Sequence, residues 1–229
     1  MLVPLTRKAF EQVIPIIATG QQYKYYWGKP SDFLRRFLFS LTGLVVVTVL
    51  HFAVIRLFFE DASTNISFIL GFLVGLYWLW APIYFATRRN WEARRYKYSG
   101  FWQGEVFDVF FTEELVGTEE TVNKRGDLVV VENRERCLNL EVGDETGFST
   151  KMRVPVQRDH RAIRPGDLAE MIVMSNRRDL SLISKVSDIY LPDYDLWVSD
   201  YPSVQRQAFE EVSQRLNDRQ RRSQWNDSW

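Results

Sequence analysis

The chain offers few side chains of the types that carry out chemistry in proteins. It has two histidines, His51 and His160, and one cysteine, Cys137. One cysteine cannot form an internal disulfide or a cysteine-based zinc site, and two histidines leave little for a histidine-ligated metal. The sequence also lacks the nucleophile, phosphate-loop, metalloprotease and dinucleotide-binding motifs. We therefore expect no catalytic residues, no metal site and no enzymatic activity.

Neighbouring acidic residues are the remaining candidates for acid–base chemistry. Side chains that are adjacent on a strand point to opposite faces, which is the wrong arrangement for a shared acid–base pair. The pairs are Glu113 with Glu114, Glu119 with Glu120, and Glu210 with Glu211. We interpret them as residues that solvate the surface.

His51 lies within a long apolar run and is the candidate for a cofactor ligand. A ring nitrogen could bind the metal of a haem or chlorophyll, and an ionisable group inside a membrane span is a functional candidate. The alternative is a neutral imidazole that is hydrogen-bonded to the neighbouring helix or to a carbonyl. Because the run supplies no second ligand, the structural role is favoured and no cofactor is predicted.

Two apolar runs, residues 37–59 and 66–86, surround this histidine and dominate the first half of the chain. Each reaches the roughly 20 residues that a helix needs to cross about 30 Å of hydrocarbon. Neither run has the polar stripe expected of a core helix in a soluble protein. The sequence therefore predicts a two-helix transmembrane hairpin, with Glu60 and Asp61 in the connecting turn.

The charges that flank the two runs predict the orientation of the hairpin. Basic residues stand before the first run and after the second, whereas the connecting turn is acidic. The basic residues are Lys24, Lys29, Arg35, Arg36, Arg88, Arg89, Arg94, Arg95 and Lys97. Since such residues accumulate on the cytoplasmic side of a membrane, we predict an integral membrane protein with both termini cytoplasmic.

Small residues recur every four positions in the second run, at Ser67, Gly71 and Gly75. Such a row allows two helices to approach closely in lipid. One interpretation is packing against the first helix, near Gly43. The other is a docking face for a further membrane subunit.

An amphipathic segment precedes the hairpin. Leu5, Ala9, Phe10, Val13 and Ile17 fall at helical spacing, with charged residues on the opposite side. This pattern predicts a short helix that lies on the cytoplasmic leaflet or against a partner.

Beyond residue 100 the hydrophobic period changes to that of strands. Short β-branched or alternating runs are separated by turn sequences, such as Arg164-Pro165-Gly166-Asp167. Five or more strands over about ninety residues predict a small antiparallel β-barrel of the OB or SH3-like kind. A compact sandwich is the alternative.

Two sets of residues in this half are candidates for protein or lipid contacts. The basic set is Arg153, Arg158, Arg161 and Arg164, which could bind an acidic protein or anionic lipid or simply solvate the rim of the barrel. The apolar set is Phe209, Val212 and Leu216, on a predicted C-terminal helix that docks on the barrel or on a partner. Nucleic acid is not predicted as a ligand, since 29 basic residues balance 29 acidic ones and basic and aromatic residues do not interleave on one strand.

Together these patterns predict an α+β membrane protein in four parts. Residues 1–36 form the amphipathic arm, 37–88 the transmembrane hairpin and 89–192 a cytoplasmic β-domain. Residues 193–229 form a linker, a helix and a tail.

Several stretches resemble a poorly characterised membrane-protein family of cyanobacteria and plastids. They are "PLTRKAFEQVIPIIATGQQYKYYWGKPSDFLRR" at residues 4–36, the hairpin, and "RPGDLAEMIV" with "DIYLP" at residues 164–173 and 188–192. Members of that family often carry an automatic label as a phosphate ABC transporter permease. The resemblance implies a thylakoid or plasma membrane in a photosynthetic cell, and it transfers no site residues.

The sequence thus predicts a non-enzymatic accessory or scaffold protein of a membrane. Its β-domain would face the cytoplasm or stroma and contact a larger membrane complex, and the resemblance suggests the assembly or stability of a photosynthetic one. The alternative is a subunit of a transport system, although two spans do not enclose a pathway and no small-molecule substrate is evident.

Overall fold

A computed structural model describes residues 1–55, 63–122 and 128–227 of the chain. The chain divides into two compact units. One, here called the sheet unit, is formed by Met1–Ile14 together with Ala93–Trp229, and the other, the helical unit, by Pro15–Glu92. This division differs from the predicted one, because the first fourteen residues fold with the C-terminal half of the chain. The predicted turn at residues 60–61 lies outside the described residues.

Six α-helices occur in the described parts of the chain. They are α1 Arg7–Val13, α2 Gly20–Trp27, α3 Pro30–Leu50, α4 Ser63–Gly75, α5 Tyr77–Arg94 and α6 Arg206–Asp227. A π-helical turn, His51–Ile55, continues α3, and two 3₁₀ turns cover Asp159–Ala162 and Pro192–Tyr194.

In the described residues, eight strands form one antiparallel sheet, which confirms the predicted α+β class. They are β1 Leu2–Pro4, β2 Tyr98–Val122, β3 Leu128–Gly143, β4 Ser149–Pro155, β5 Leu168–Ser175, β6 Lys185–Val186, β7 Ile189–Leu191 and β8 Leu196–Val198. The order across the sheet is β4-β3-β2-β5-β7-β8, with β1 paired to β2 and β6 to β5.

The prediction of a closed β-barrel is wrong. Among the described residues, the outermost strands β4 and β8 do not pair with each other, so the sheet is open. The reason lies in β2, a strand of 25 residues. Residues 98–105 pair with β5 and residues 105–122 with β3, so the two neighbours overlap only at Glu105. This stagger along one long strand does not give the regular shear that closure requires.

One face of the sheet forms a first hydrophobic core. Side chains from β2, β3, β4, β5, β7 and β8 contribute, and they alternate along each strand as expected for a face. The core includes Trp102, Val106, Leu138, Leu140, Val142, Val154, Met171, Val173, Ile189, Leu191 and Val198. Trp102 is fully buried and its indole N–H donates to the Asp144 carboxylate at 2.6 Å.

The opposite face carries a second core, which α1 and α6 cover. Phe101 and Ile172 point to this face, between the first-core residues that neighbour them in sequence. Phe10 and Val13 of α1 are buried here. These two side chains of the amphipathic arm therefore lie inside the protein, because an uncovered sheet face is available to them. Ile17, at the end of the predicted apolar stripe, is 67% exposed.

The helical unit contains one helix that is long and apolar enough to cross a membrane, within the described residues. This helix consists of α3 and the start of the π-helical turn, Pro30–Ala53, and has 24 residues. Of its most apolar stretch of 18 residues, 11% is buried. The second apolar run is not one straight helix. It consists of α4 and α5, which meet the same criterion only as a pair bent by 72°.

The break between α4 and α5 lies at Leu76, and two side chains satisfy the backbone groups that it frees. The Trp80 indole N–H donates to the Leu73 carbonyl at 2.8 Å. The Trp78 backbone N–H donates to the hydroxyl of Ser40, on α3, at 3.2 Å. Because freed backbone groups are costly in an apolar environment, these two bonds stabilise the bend.

Two buried amides join α2 to α5. The side-chain amide of Gln22 donates to the Asn90 oxygen and the Asn90 amide donates to the Gln22 oxygen, both at 2.9 Å. Both residues are almost fully buried. The reciprocal pair leaves neither amide without a partner, which fixes the two helices against each other.

Candidate functional site

The strands β2 and β3 extend beyond the rest of the sheet as a two-stranded ribbon. The last pair between β3 and β4 is Cys137 with Pro155, and the last between β2 and β5 is Glu105 with Leu168. Residues 113–122 and 128–136 therefore pair only with each other. We call these two segments the ribbon.

One face of the ribbon continues the face of the first core. Residues that pair across strands, and residues two apart along a strand, share a face. Leu138 and Leu140 of the first core therefore share a face with Leu128 and Val130 further along β3. Leu115 pairs with Arg134 on this same face. Leu115, Leu128 and Val130 are 55%, 68% and 55% exposed, so no part of the described chain covers this apolar surface.

The ribbon carries an excess of negative charge. Residues 113–122 and 128–136 contain six glutamates, Glu113, Glu114, Glu119, Glu120, Glu132 and Glu135, and two arginines, Arg134 and Arg136. Both arginines pair within the ribbon, Arg134 with Glu132 at 2.8 Å and Arg136 with Glu113 at 3.9 Å. By the same register, three of the glutamates and both arginines share the face of Leu115, Leu128 and Val130, so the exposed apolar side chains there alternate with charged ones.

The four basic candidates from the sequence lie on β4 and around the turn that follows it. Arg153, on β4, pairs with Glu114 of the ribbon. Arg158, Arg161 and Arg164 are exposed in and beside the 3₁₀ turn after β4. His160 in the same turn is buried, and burial lowers its pKa. It therefore adds no positive charge near neutral pH.

The apolar candidates on α6 are core residues and not surface residues. Phe209 is fully buried and Val212 is 8% exposed, both in the second core, and Leu216 packs against it. Of the two predicted roles for this helix, the structure shows docking on the sheet of its own chain. These side chains are not available to a partner.

A buried polar cluster that the sequence did not reveal fixes α6 on the sheet. Glu170 on β5 is fully buried. It accepts hydrogen bonds from the Ser213 hydroxyl at 2.6 Å, the Gln103 amide at 3.1 Å and the Asn217 amide at 3.3 Å. The four residues are scattered over β2, β5 and α6, so no spacing in the sequence indicates that they meet.

The described residues contain no group of three or more potential metal ligands.

The predicted small-residue row lies along α3, and its members differ in what they contact. A methyl group added at Gly75 would come within 2.9 Å of Leu44 on α3, and Gly43 on α3 lies directly against Val74. Gly71 faces open space, with nothing within 4 Å of an added methyl group. The Ser67 hydroxyl lies 2.8 Å from His51 Nδ1.

Gly71 opens into a groove between α3 and α4 that has a volume of about 620 Å³. Its walls are apolar side chains such as Leu44, Val47, Phe68 and Phe72. His51 and Ser67 supply polar groups at its surface. The structure therefore brings together His51 and the small-residue row, which the sequence presented as two separate features.

A known family matches almost the whole chain. The model of a family of unknown function, DUF8619, matches residues 3–222. The chain belongs to this family. No curated protein and no solved structure matches the chain. The matched range covers the helical unit and nearly all of the sheet unit, so the family model describes both units together.

Proposed function

We propose that this member of the DUF8619 family is a membrane-anchored, non-enzymatic scaffold or accessory protein. The helical unit would hold the protein in the bilayer, and the ribbon of the sheet unit would bind a protein of a larger membrane complex. The uncovered apolar face of the ribbon is the observation on which the proposal rests.

The ribbon needs a partner for a physical reason. A two-stranded ribbon is only marginally stable in water, and its unpaired edges tend to pair with another chain. Leu115, Leu128 and Val130 add exposed apolar side chains on one face of the ribbon. The excess of glutamates favours a basic partner and disfavours pairing with a second copy, whose ribbon would carry the same charge.

Apolar exposure in the helical unit supports the membrane anchor. Side chains on α3 are exposed on several sides, and Phe39, Val45 and Val49 are all more than half exposed. Such a surface is unfavourable in water and favourable in lipid. With α4 and α5 as a second, broken span, the basic flanks would place both termini on the cytoplasmic or stromal side.

A more specific version of the proposal concerns a photosynthetic membrane complex, whose assembly or stability the protein would support in a thylakoid or plasma membrane. This version rests on the family resemblance alone. The transport alternative requires a small-residue face that is free for other subunits. Since Gly75 already lies against Leu44, only Gly71 remains for such a face, and we favour the scaffold.

The ribbon can be tested by changing Leu115, Leu128 and Val130 together to threonine. Threonine suits strands, so the exposed substitutions should leave the melting temperature nearly unchanged. We expect the unaltered protein, extracted from its own membranes in mild detergent, to migrate in native electrophoresis as a complex larger than the monomer. The triple variant should migrate as the free protein.

Leu182→Thr is the matched control. Leu182 is 57% exposed in a loop of the sheet unit away from the ribbon, and its variant should remain in the complex. A monomeric unaltered protein, or a triple variant that stays in the complex, would contradict the proposal.

A further inference from the structure

The groove between α3 and α4 has the features of a ligand site, and the inference drawn from it is independent of the scaffold function. Its volume of about 620 Å³ falls within the range of about 300–1,000 Å³ for sites that bind small molecules and cofactors. Such sites are mostly apolar with a few placed polar groups. Here Phe68 and Phe72 line the groove, and His51 with Ser67 provides the polar groups.

The backbone geometry at His51 departs from a regular α-helix. The π-helical turn His51–Ile55 begins at this residue. π-helical turns are rare, and those that interrupt an α-helix occur frequently at functional sites. Together with the cavity, this irregularity distinguishes His51 from a histidine that only fills space between two helices.

The contact with Ser67 occupies one ring nitrogen of His51. The Ser67 hydroxyl oxygen lies 2.8 Å from His51 Nδ1 and can accept a proton from it. In that tautomer Nε2 carries the lone pair, and no hydrogen bond to Nε2 occurs among the described residues. A histidine that ligates a metal characteristically donates its other ring N–H in this way.

We propose that the groove binds a metalloporphyrin, with Nε2 of His51 as the single axial ligand of the metal. The apolar walls suit the macrocycle, and the two phenylalanine rings can lie against it. The absence of a side chain at Gly71 leaves room for the ring close to the backbone of α4. An acyl chain of a lipid would fill the same space, but it has no group that can bind to the imidazole.

Zinc protoporphyrin IX is the probe, because zinc in a porphyrin takes one axial nitrogen ligand and imidazole suits zinc. It is titrated into the full-length protein in detergent micelles, and the Soret absorption band is followed. We expect saturation at one probe per chain with a red shift that reports axial coordination. His51→Ala should lose the shift, and added imidazole should restore it in that variant.

Two further variants separate the groove from the rest of the helix. Gly71→Phe fills the groove and leaves His51 in place, so binding should weaken at least about tenfold. Leu70→Phe adds the same group to the neighbouring position, outside the groove, and should bind as the unaltered protein does. Circular dichroism establishes that each variant is folded.

The proposal is overturned if the unaltered protein gives no Soret shift, or if the shift persists in His51→Ala without imidazole. Equal effects of Gly71→Phe and Leu70→Phe would also overturn it. None of these results bears on the ribbon, whose test measures complex formation.

Discussion

Asp188 is a buried carboxylate that holds the segment leading into α6. It is 2% exposed, and Ser203 donates to its Oδ1 from the backbone N–H at 2.9 Å and from the hydroxyl at 2.6 Å. Burial raises the pKa of Asp188 to about 6, although these hydrogen bonds and the Arg206 guanidinium favour the charged form. Desolvation therefore outweighs the favourable contacts.

The raised pKa predicts how pH affects stability. Asp188 binds a proton more tightly in the folded protein than in the unfolded chain, where the pKa of an aspartate is 3.8. The stabilisation is thus complete below about pH 4 and is lost as the pH rises through about 6, a change of roughly 3 kcal/mol. Asp188→Asn cannot titrate. We expect urea unfolding to show that, between about pH 4 and pH 7, the free energy of unfolding of the unaltered protein falls by roughly 3 kcal/mol relative to that of the variant.

The same pH dependence in both proteins would contradict the assignment to Asp188. A difference in the free energy of unfolding between the two proteins that does not change with pH does not test the assignment, since the amide of the variant makes hydrogen bonds of its own.

The Glu170 cluster gives a second prediction for a single residue. Ser213→Ala removes the shortest hydrogen bond to a fully buried carboxylate. Loss of one partner from a buried polar group costs about 1–3 kcal/mol. We expect urea unfolding to show a loss of this size, whereas Ser181→Ala, in an exposed loop, should change the free energy of unfolding by less than about 0.5 kcal/mol. Equal effects would show that Ser213 does not fix α6.

At the scale of elements, the bend between α4 and α5 depends on a residue of α3. Ser40 is 3% exposed and accepts the N–H that the bend frees at Trp78. Straightening α4 and α5 into one helix would return that N–H to a helical carbonyl and would detach α5 from Ser40. The bend is therefore a property of two packed helices rather than of the second run alone.

Ser40→Ala should destabilise the bend by about 1–3 kcal/mol, because it leaves the Trp78 N–H unpaired in an apolar setting. Spin labels at Ile69 and Tyr84, which are exposed on either side of the break, report the angle between the helices. We expect the distance distribution to broaden and to shift towards longer distances. Thr42→Ala, an exposed change on the same helix, should leave the distribution unchanged, and an unchanged distribution in Ser40→Ala would refute the role of Ser40.

At the scale of the whole molecule, two distant segments of the chain meet within the sheet unit. The Arg94 guanidinium donates to the Ile14 carbonyl at 2.6 Å. Arg7 donates to the carbonyls of Arg94 and Tyr96 at 2.9 Å and 2.8 Å. The two ends that lead into the helical unit are thus close together, and the helical unit is an insertion in the sheet unit.

This arrangement predicts that the sheet unit folds without the insertion. When residues 15–92 are replaced by a glycine–serine linker of about eight residues, we expect a water-soluble protein with cooperative thermal unfolding. Removing residues 1–14 as well should abolish the cooperative transition, because Phe10, Val13 and Ile14 leave the second core. An insoluble or non-cooperative linker variant would contradict this view of the two units.

The sequence alone determined the properties that depend on local composition and period. The first apolar run, residues 37–59, has the length of a membrane span whatever it contacts, and the short β-branched runs after Phe101 form strands. The α+β class and a helix capable of crossing a membrane follow from these local patterns.

Only the tertiary structure decided where the amphipathic surfaces pack. Nothing local distinguishes a helix that buries Phe10 in its own protein from one that lies on a leaflet, because both need the same stripe of apolar residues. The open sheet, the bend at Leu76 and the cluster around Glu170 likewise depend on contacts between residues far apart in the chain. The apolar face of the ribbon depends on register, since a shift of one residue between β2 and β3 would turn Leu115 to the other side.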